Sequence, residues 1–144
     1  MTKNNDFKRI ILPVDGSKYS IRAAKKALGL AEDSGIEVTA IYVADFRGPV
    51  YPEIADYYPI SLNVLKKEGK KILNQIKKMG DKLGVKINEK IIEGVAEEEI
   101  IKESGENDLI VMGCKGKTAL KRILVGDVCE NVAHHSLSPV LIIR

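Results

Sequence analysis

The sequence predicts an α/β fold: a single open five-stranded parallel sheet, order 3-2-1-4-5, with helices on both faces. Three observations carry this expectation. Apolar runs alternate with helix-periodic segments from one end of the chain to the other, which is how successive strand–helix–strand units read. The runs are close to continuously apolar, as strands covered on both faces are. The two most apolar, 9–14 and 108–112, belong at the centre of the sheet as neighbours. The 144 residues suit one domain with one sizeable core, spanning 1–144.

The elements follow in order. RIILPV (9–14) is short, β-branched and bounded by Asp15-Gly16, so it forms the first strand. Ser17 is placed to cap the next helix, whose apolar positions Ile21, Ala24, Ala27, Leu28 and Ala31 recur every three or four residues until Gly35 stops it. EVTAIYVA (37–44) is the second strand. The second helix sets Leu62, Leu65, Ile72, Ile76, Met79 and Leu83 on one face and ends at Gly84. VKINEKII (85–92) is the most polar strand and takes an edge. A short helix covers 96–104, DLIVMG (108–113) is a fully apolar fourth strand, a helix runs from Val128 to His135, and PVLIIR (139–144) is the fifth strand. The connection 45–60, which holds three prolines, reads either as a stiffened surface loop or as a flap over a site.

Composition narrows the function. Charged residues make up 30%, hydrophobic residues 44%, and the net charge is only +3. That is the profile of a soluble globular protein with no bias toward nucleic acid. No apolar run reaches the roughly 20 residues of a membrane span, so no membrane partner is expected. The polar start MTKNND lacks an apolar signal region, which leads to the expectation of a cytoplasmic protein. Cys114 and Cys129 match no zinc spacing and read as free thiols. Cys114, beside Lys115 and Lys117, is either an ordinary loop thiol or one activated by its cations. His134 and His135 project about 100° apart on a helix, so they read as partners of the helix dipole and not as a metal pair. No nucleophile–base arrangement emerges, and the chain does not read as a dedicated enzyme.

A ligand has one natural place. In an open parallel sheet, ligands bind outside the carboxyl ends of the strands where strand order reverses. The loops leaving the two central strands, Asp15-Gly16-Ser17 and Gly113-Cys114-Lys115-Gly116, then face one crevice. Glycine lets a backbone approach a ligand closely, and the helix start near Val128 is an anion site in waiting. Gly116-Lys117-Thr118 imitates the end of a P-loop, but that motif needs a glycine where Val111 stands. No GxGxxG follows the first strand, so a dinucleotide is not expected.

Gly113, Gly116 and Gly126 have the spacing Gly-x2-Gly-x9-Gly. Together with RIILPVDGS (9–17) and SPVLIIR (138–144), they make the whole chain resemble the universal stress protein family and its nucleotide-binding members. The resemblance implies an adenine nucleotide alpha hydrolase-like, Rossmann-like fold and an adenine nucleotide, AMP, ADP or ATP, as ligand. It implies that Pro13, Val14 and Asp15 line the adenine and ribose pocket, with Val43 touching the base. Met112, Gly113 and Gly116 would bracket the ribose and α-phosphate. Gly126, Asp127 and Val128 would hold the outer phosphates. It further implies a stress-response regulator, acting with a protein partner still to be identified and pairing as a homodimer through 139–144, where the apolar terminal strand also invites another chain.

The chain departs from the family pattern at Asp127, where nucleotide binders carry Ser or Thr. Asp127-Val128-Cys129-Glu130 has the form of a capping box, and a carboxylate there would repel an outer phosphate. Lys115, Lys117, Lys121 and Arg122 offset part of that charge, and a bridging Mg²⁺ or Mn²⁺ offsets more. Two functions stay open on this evidence: a regulator that binds the nucleotide, or a nucleotide-free dimeric interaction module of the same fold. A nucleotide hydrolase is a third, weakened by the missing base.

Overall fold

The computed structural model describes residues 7–45, 62–115 and 126–144. Strands and helices alternate in it: β1 (Arg9–Pro13), α1 (Lys18–Ser34), β2 (Glu37–Ala44), α2 (Leu62–Leu83), β3 (Ile87–Glu93), α3 (Ala96–Glu103), β4 (Asp108–Gly113), α4 (Asp127–His135) and β5 (Val140–Ile143). All pairings are parallel and the order is β3-β2-β1-β4-β5, as the apolar ranking of the strands predicts.

The period of two along each strand splits the core between the two faces. On one face Ile10, Leu12, Val38, Ala40 and Val111 meet the small residues Ala23, Ala24 and Ala27 of α1 and Ile72, Leu73 and Ile76 of α2. On the other, Ile11, Ile41, Ile110 and Met112 meet Ile100 of α3 and Cys129 and Val132 of α4. Among the described residues no helix is long and apolar enough to cross a membrane.

Helix ends follow the expected chemistry at two places. The Ser17 hydroxyl oxygen accepts the Ser20 N–H at 3.1 Å at the start of α1, and Gly35, left-handed at φ 73°, returns its N–H to Ala31. The end of α2 moves the start of β3. Gly84 turns left-handed at φ 67°, and the Val85 N–H bonds the Gly80 carbonyl at 3.0 Å, the six-to-one bond of a Schellman motif. With its N–H spent there and its side chain buried in the core, Val85 does not join the ladder. β3 therefore begins at Ile87 and not at 85. β1 ends at Pro13, one residue short of the expected 14, although the Val14 N–H still reaches the Ile41 carbonyl at 2.9 Å.

The amino ends of the strands are stitched by Arg9. Its Nε and Nη2 donate to the two Asp108 oxygens at 3.1 and 3.2 Å, and Nη2 also donates to the Glu103 carbonyl at 2.8 Å. Asp108 is 6% exposed and also accepts the Gly105 N–H at 2.8 Å. One side chain thus ties β1 to β4 and to the end of α3. A cleft of about 470 Å³ opens at this end.

Candidate functional site

The other end of the sheet holds the predicted site residues. Beyond Pro13, the chain turns through Asp15, whose Oδ1 accepts the Ser17 N–H at 2.9 Å. Gly16 takes φ 83°, a value that side-chain-bearing residues avoid. The Asp15 N–H in turn meets the Ser20 hydroxyl at 3.4 Å. A three-residue turn of this kind fixes Asp15 at the start of α1.

β4 delivers the second loop. The Cys114 N–H bonds the Ile143 carbonyl of β5 at 2.8 Å, and the Cys114 carbonyl accepts the Gly126 N–H at 2.6 Å. The second bond brings Cys114, next to Gly113, against Gly126 at the start of α4. β1 and β4 are adjacent, which places the Asp15 turn and this loop at one edge of the sheet. Val14 and Met112 are both buried, but in opposite cores. Val43 is half-buried and packs with the Met112 side of the sheet. The expected site residues Gly116 and Lys117 lie outside the described residues, as does the 46–60 part of the long connection.

The expected capping box at Asp127 is corrected. The N-cap of α4 is Gly126, extended at φ −75° and ψ 162°, and no side chain caps it. The Gly126 carbonyl accepts the first helical bond, from Glu130 N–H at 2.9 Å. Asp127 is already helical, and a helical residue cannot fold its carboxylate over the next N–H groups as an N-cap does. It stands exposed in the first turn, where the helix dipole still favours an acid.

Both cysteines are free and buried. Burial, and secondarily the neighbouring Cys114, push the Cys129 thiol up to about 11. Cys129 is thus a packed thiol and not a reactive one. Among the described residues no group of three His, Cys, Asp or Glu side chains is arranged to hold a metal. The two histidines close the last turn of α4, as a dipole role requires.

Two tyrosines belong to the site that sequence patterns did not single out. The Tyr42 ring lies against Gly69 of α2, where a Cβ would come within 2.8 Å of three ring atoms. Burial first, then the charges of Glu68 and Asp15, raise its phenol pKa, so Tyr42 stands in the electrostatic field of the Asp15 turn. Tyr19 is packed against Gly113: a Cβ on that glycine would sit 2.7 Å from the Tyr19 carbonyl carbon. The signal for Gly69, a glycine inside a strongly periodic helix, is present in the sequence; that for Tyr19 is not.

The geometry agrees with a known family. The universal stress protein family matches residues 6–144. The universal stress protein MJ0531 of Methanocaldococcus jannaschii is 42% identical over 142 residues, 97% of this chain and 84% of that protein. The solved structure of MJ0577, a universal stress protein of the same organism, superimposes with a TM-score of 0.80 at 34% identity, covering 95% of both chains. A universal stress protein solved in complex with cAMP shares the fold, with a TM-score of 0.66 at 24% identity over 96% of this chain and 97% of that one. With the strand order, the paired loops at the β1–β4 junction and these relatives in agreement, the chain belongs to the universal stress protein family.

Proposed function

We propose that this protein is a stress-response regulator that binds an adenine nucleotide between the Asp15 turn and the loop after β4, and that it signals by occupancy and not by turnover. One observation carries the reading: the Cys114–Gly126 bond gathers two bare glycine backbones and a helix start at the carboxyl ends of adjacent central strands. With the Gly126 N–H spent on Cys114, the next N–H groups of the helix start, at Asp127 and Val128, suit a phosphate. The Asp15 carboxylate, fixed by its turn, suits donors such as ribose hydroxyls or the adenine amine. The relative holding cAMP supports an adenine nucleotide at the level of the fold. AMP or ADP fits at least as well as ATP wherever the outer phosphates would take the α4 route beside the exposed Asp127, unless Mg²⁺ or Mn²⁺ bridges the two.

One observation favours the second reading, a nucleotide-free interaction module: an exposed carboxylate in the first turn of α4. Under either reading the chain pairs as a homodimer through 139–144. β5 is an outer strand and its Leu141 is 36% exposed, as an edge awaiting a partner would be. A regulatory protein would then read the state of the dimer. The free thiols fit a reducing compartment, the cytoplasm.

Heating the purified protein and analysing the supernatant by mass spectrometry separates the readings. Release of AMP, ADP or ATP supports the first. An empty supernatant, with no heat on titrating the three nucleotides with Mg²⁺ to about millimolar levels, retires it in favour of the second.

A further inference from the structure

The ring of Tyr19 is surrounded by cations from two parts of the fold. Lys18 Nζ lies 5.3 Å from its centroid, the Arg22 guanidinium carbon 5.7 Å and Lys115 Nζ 5.8 Å, all within cation–π range. Lys18 and Arg22 come from α1, and Lys115 from the loop after β4. The arrangement runs against the electrostatics of its own helix. Lys18 and Arg22 are like charges four residues apart, and Lys18, in the first turn, stands where the helix dipole favours acids; α1 has no acidic residue in its first turn. Among the described residues none of the three cations forms an ion pair with a carboxylate.

The loop after β4 lies between two electrostatic opposites. On one side Gly113 abuts Tyr19, whose ring carries the cations; on the other, Cys114 is bonded to Gly126, the residue before Asp127. Resting on the nucleotide site proposed above, we infer that the outer phosphates turn away from Asp127 and run toward Lys18, Arg22 and Lys115, with Tyr19 the positioning residue that gathers them. The cluster then decides how many phosphates the site accepts. The α-phosphate stays on the glycine backbone, and the tail takes the cationic route in place of the α4 route that the family pattern implies.

Calorimetric titration of AMP and ATP in EDTA into the full chain and its variants tests this. Tyr19→Leu keeps bulk and loses the aromatic face; it weakens ATP by about 5- to 20-fold and AMP by less than about 2-fold. Tyr19→Phe, which keeps the face, restores most of the ATP affinity lost in the leucine variant. In a Lys115→Gln background the same leucine change costs less than it does alone, since the two act through one contact. If AMP and ATP weaken equally, or ATP is untouched, Tyr19 is a packing residue and the inference falls while the nucleotide site stands. If the unmodified protein binds neither nucleotide, the site reading itself fails and takes this with it.

Discussion

Gly113→Ala probes the closest approach at the candidate site. A methyl there stands 2.7 Å from the Tyr19 carbonyl carbon, 2.8 Å from its Cβ and 2.9 Å from its carbonyl oxygen. Ordinary contact starts at 3.4 Å, so the first turn of α1 has to retreat by 3.4 − 2.7 = 0.7 Å. Two of the three atoms are backbone, and no rotamer change relieves them. Nor does α1 move freely as a body, because Ser20, Ala23, Ala24 and Ala27 are buried along it. Overpacking of this kind costs about 1–3 kcal/mol. For a chain of this size that is a fall in Tm of roughly 2–12 °C. Gly29→Ala is the matched control: the same change within α1, with nothing within 4 Å of the new methyl. It is expected to stabilise by about 0.5–1 kcal/mol, the helix-propensity gain of alanine over glycine. Urea denaturation with a shared m-value reads both. A Gly113→Ala protein within about 0.5 kcal/mol of the parent, a surface-like effect, would refute the packing claim and leave ligand approach as the only use of that glycine.

Asp127→Ser opens the α4 route to the outer phosphates and tightens ATP relative to AMP by about 5-fold in EDTA, because an exposed carboxylate repels at the water end of the range, about 1 kcal/mol; equal shifts for both nucleotides would show that Asp127 does not steer the phosphates. Asp108→Ala leaves Arg9 half-buried without its carboxylate and the Gly105 N–H without an acceptor; a loss of about 2–4 kcal/mol in urea denaturation is expected, and a loss below about 0.5 contradicts the stitching role. The Cys129 thiol, raised from 9.0 to about 11, is favoured neutral in the folded state, so between those values the folded protein holds a proton that the unfolded one has lost. The stability that Cys129 contributes is full below pH 9 and falls as the pH rises to 11; Cys129→Ala flattens part of that slope, and the raised Tyr42 adds to it only above its ordinary 10.0. Leu141→Lys abolishes self-association measured by sedimentation at roughly tens of micromolar; a persistent dimer moves the interface elsewhere.

Much of this architecture is written in local residue patterns, and the failures have physical causes. The central pair β1 and β4 was legible because strands buried on both faces must be apolar throughout. The Ser17 cap and the Gly35 and Gly84 stops were legible because each acts within a few residues. The start of β3 was not, since the sequence does not show that α2 claims the Val85 N–H. At Asp127 two local solutions compete: a capping box beginning at the aspartate, or an extended glycine one residue earlier. The Cys114–Gly126 bond, a contact between two separated segments, accompanies the second. Tyr19 and Lys115 are juxtaposed only by the fold, so no spacing rule finds their contact.

The two ends of the sheet have opposite electrostatic characters, and parallel topology is the cause. At the amino ends, polar groups satisfy one another: Arg9, Asp108, the Glu103 carbonyl and the Gly105 N–H close a local network, and the cleft there has its central charges already paired. At the carboxyl ends, β1 to β4 each hand over to a connection that leads into a helix. The helix starts of α1 and α4 are therefore brought to the same edge as Gly113 and Gly126, with positive dipole ends and unspent N–H groups. Lys18, Arg22 and Lys115 add full charges to those partial ones. Asp127 and Glu130 in the first turn of α4, and Asp15 in the turn before α1, oppose them. An anion arriving at this edge meets attraction from the α1 side and backbone donors in the middle, so the sign of the field, as well as the shape of the loops, argues for a phosphate-bearing ligand whose tail leans toward Tyr19.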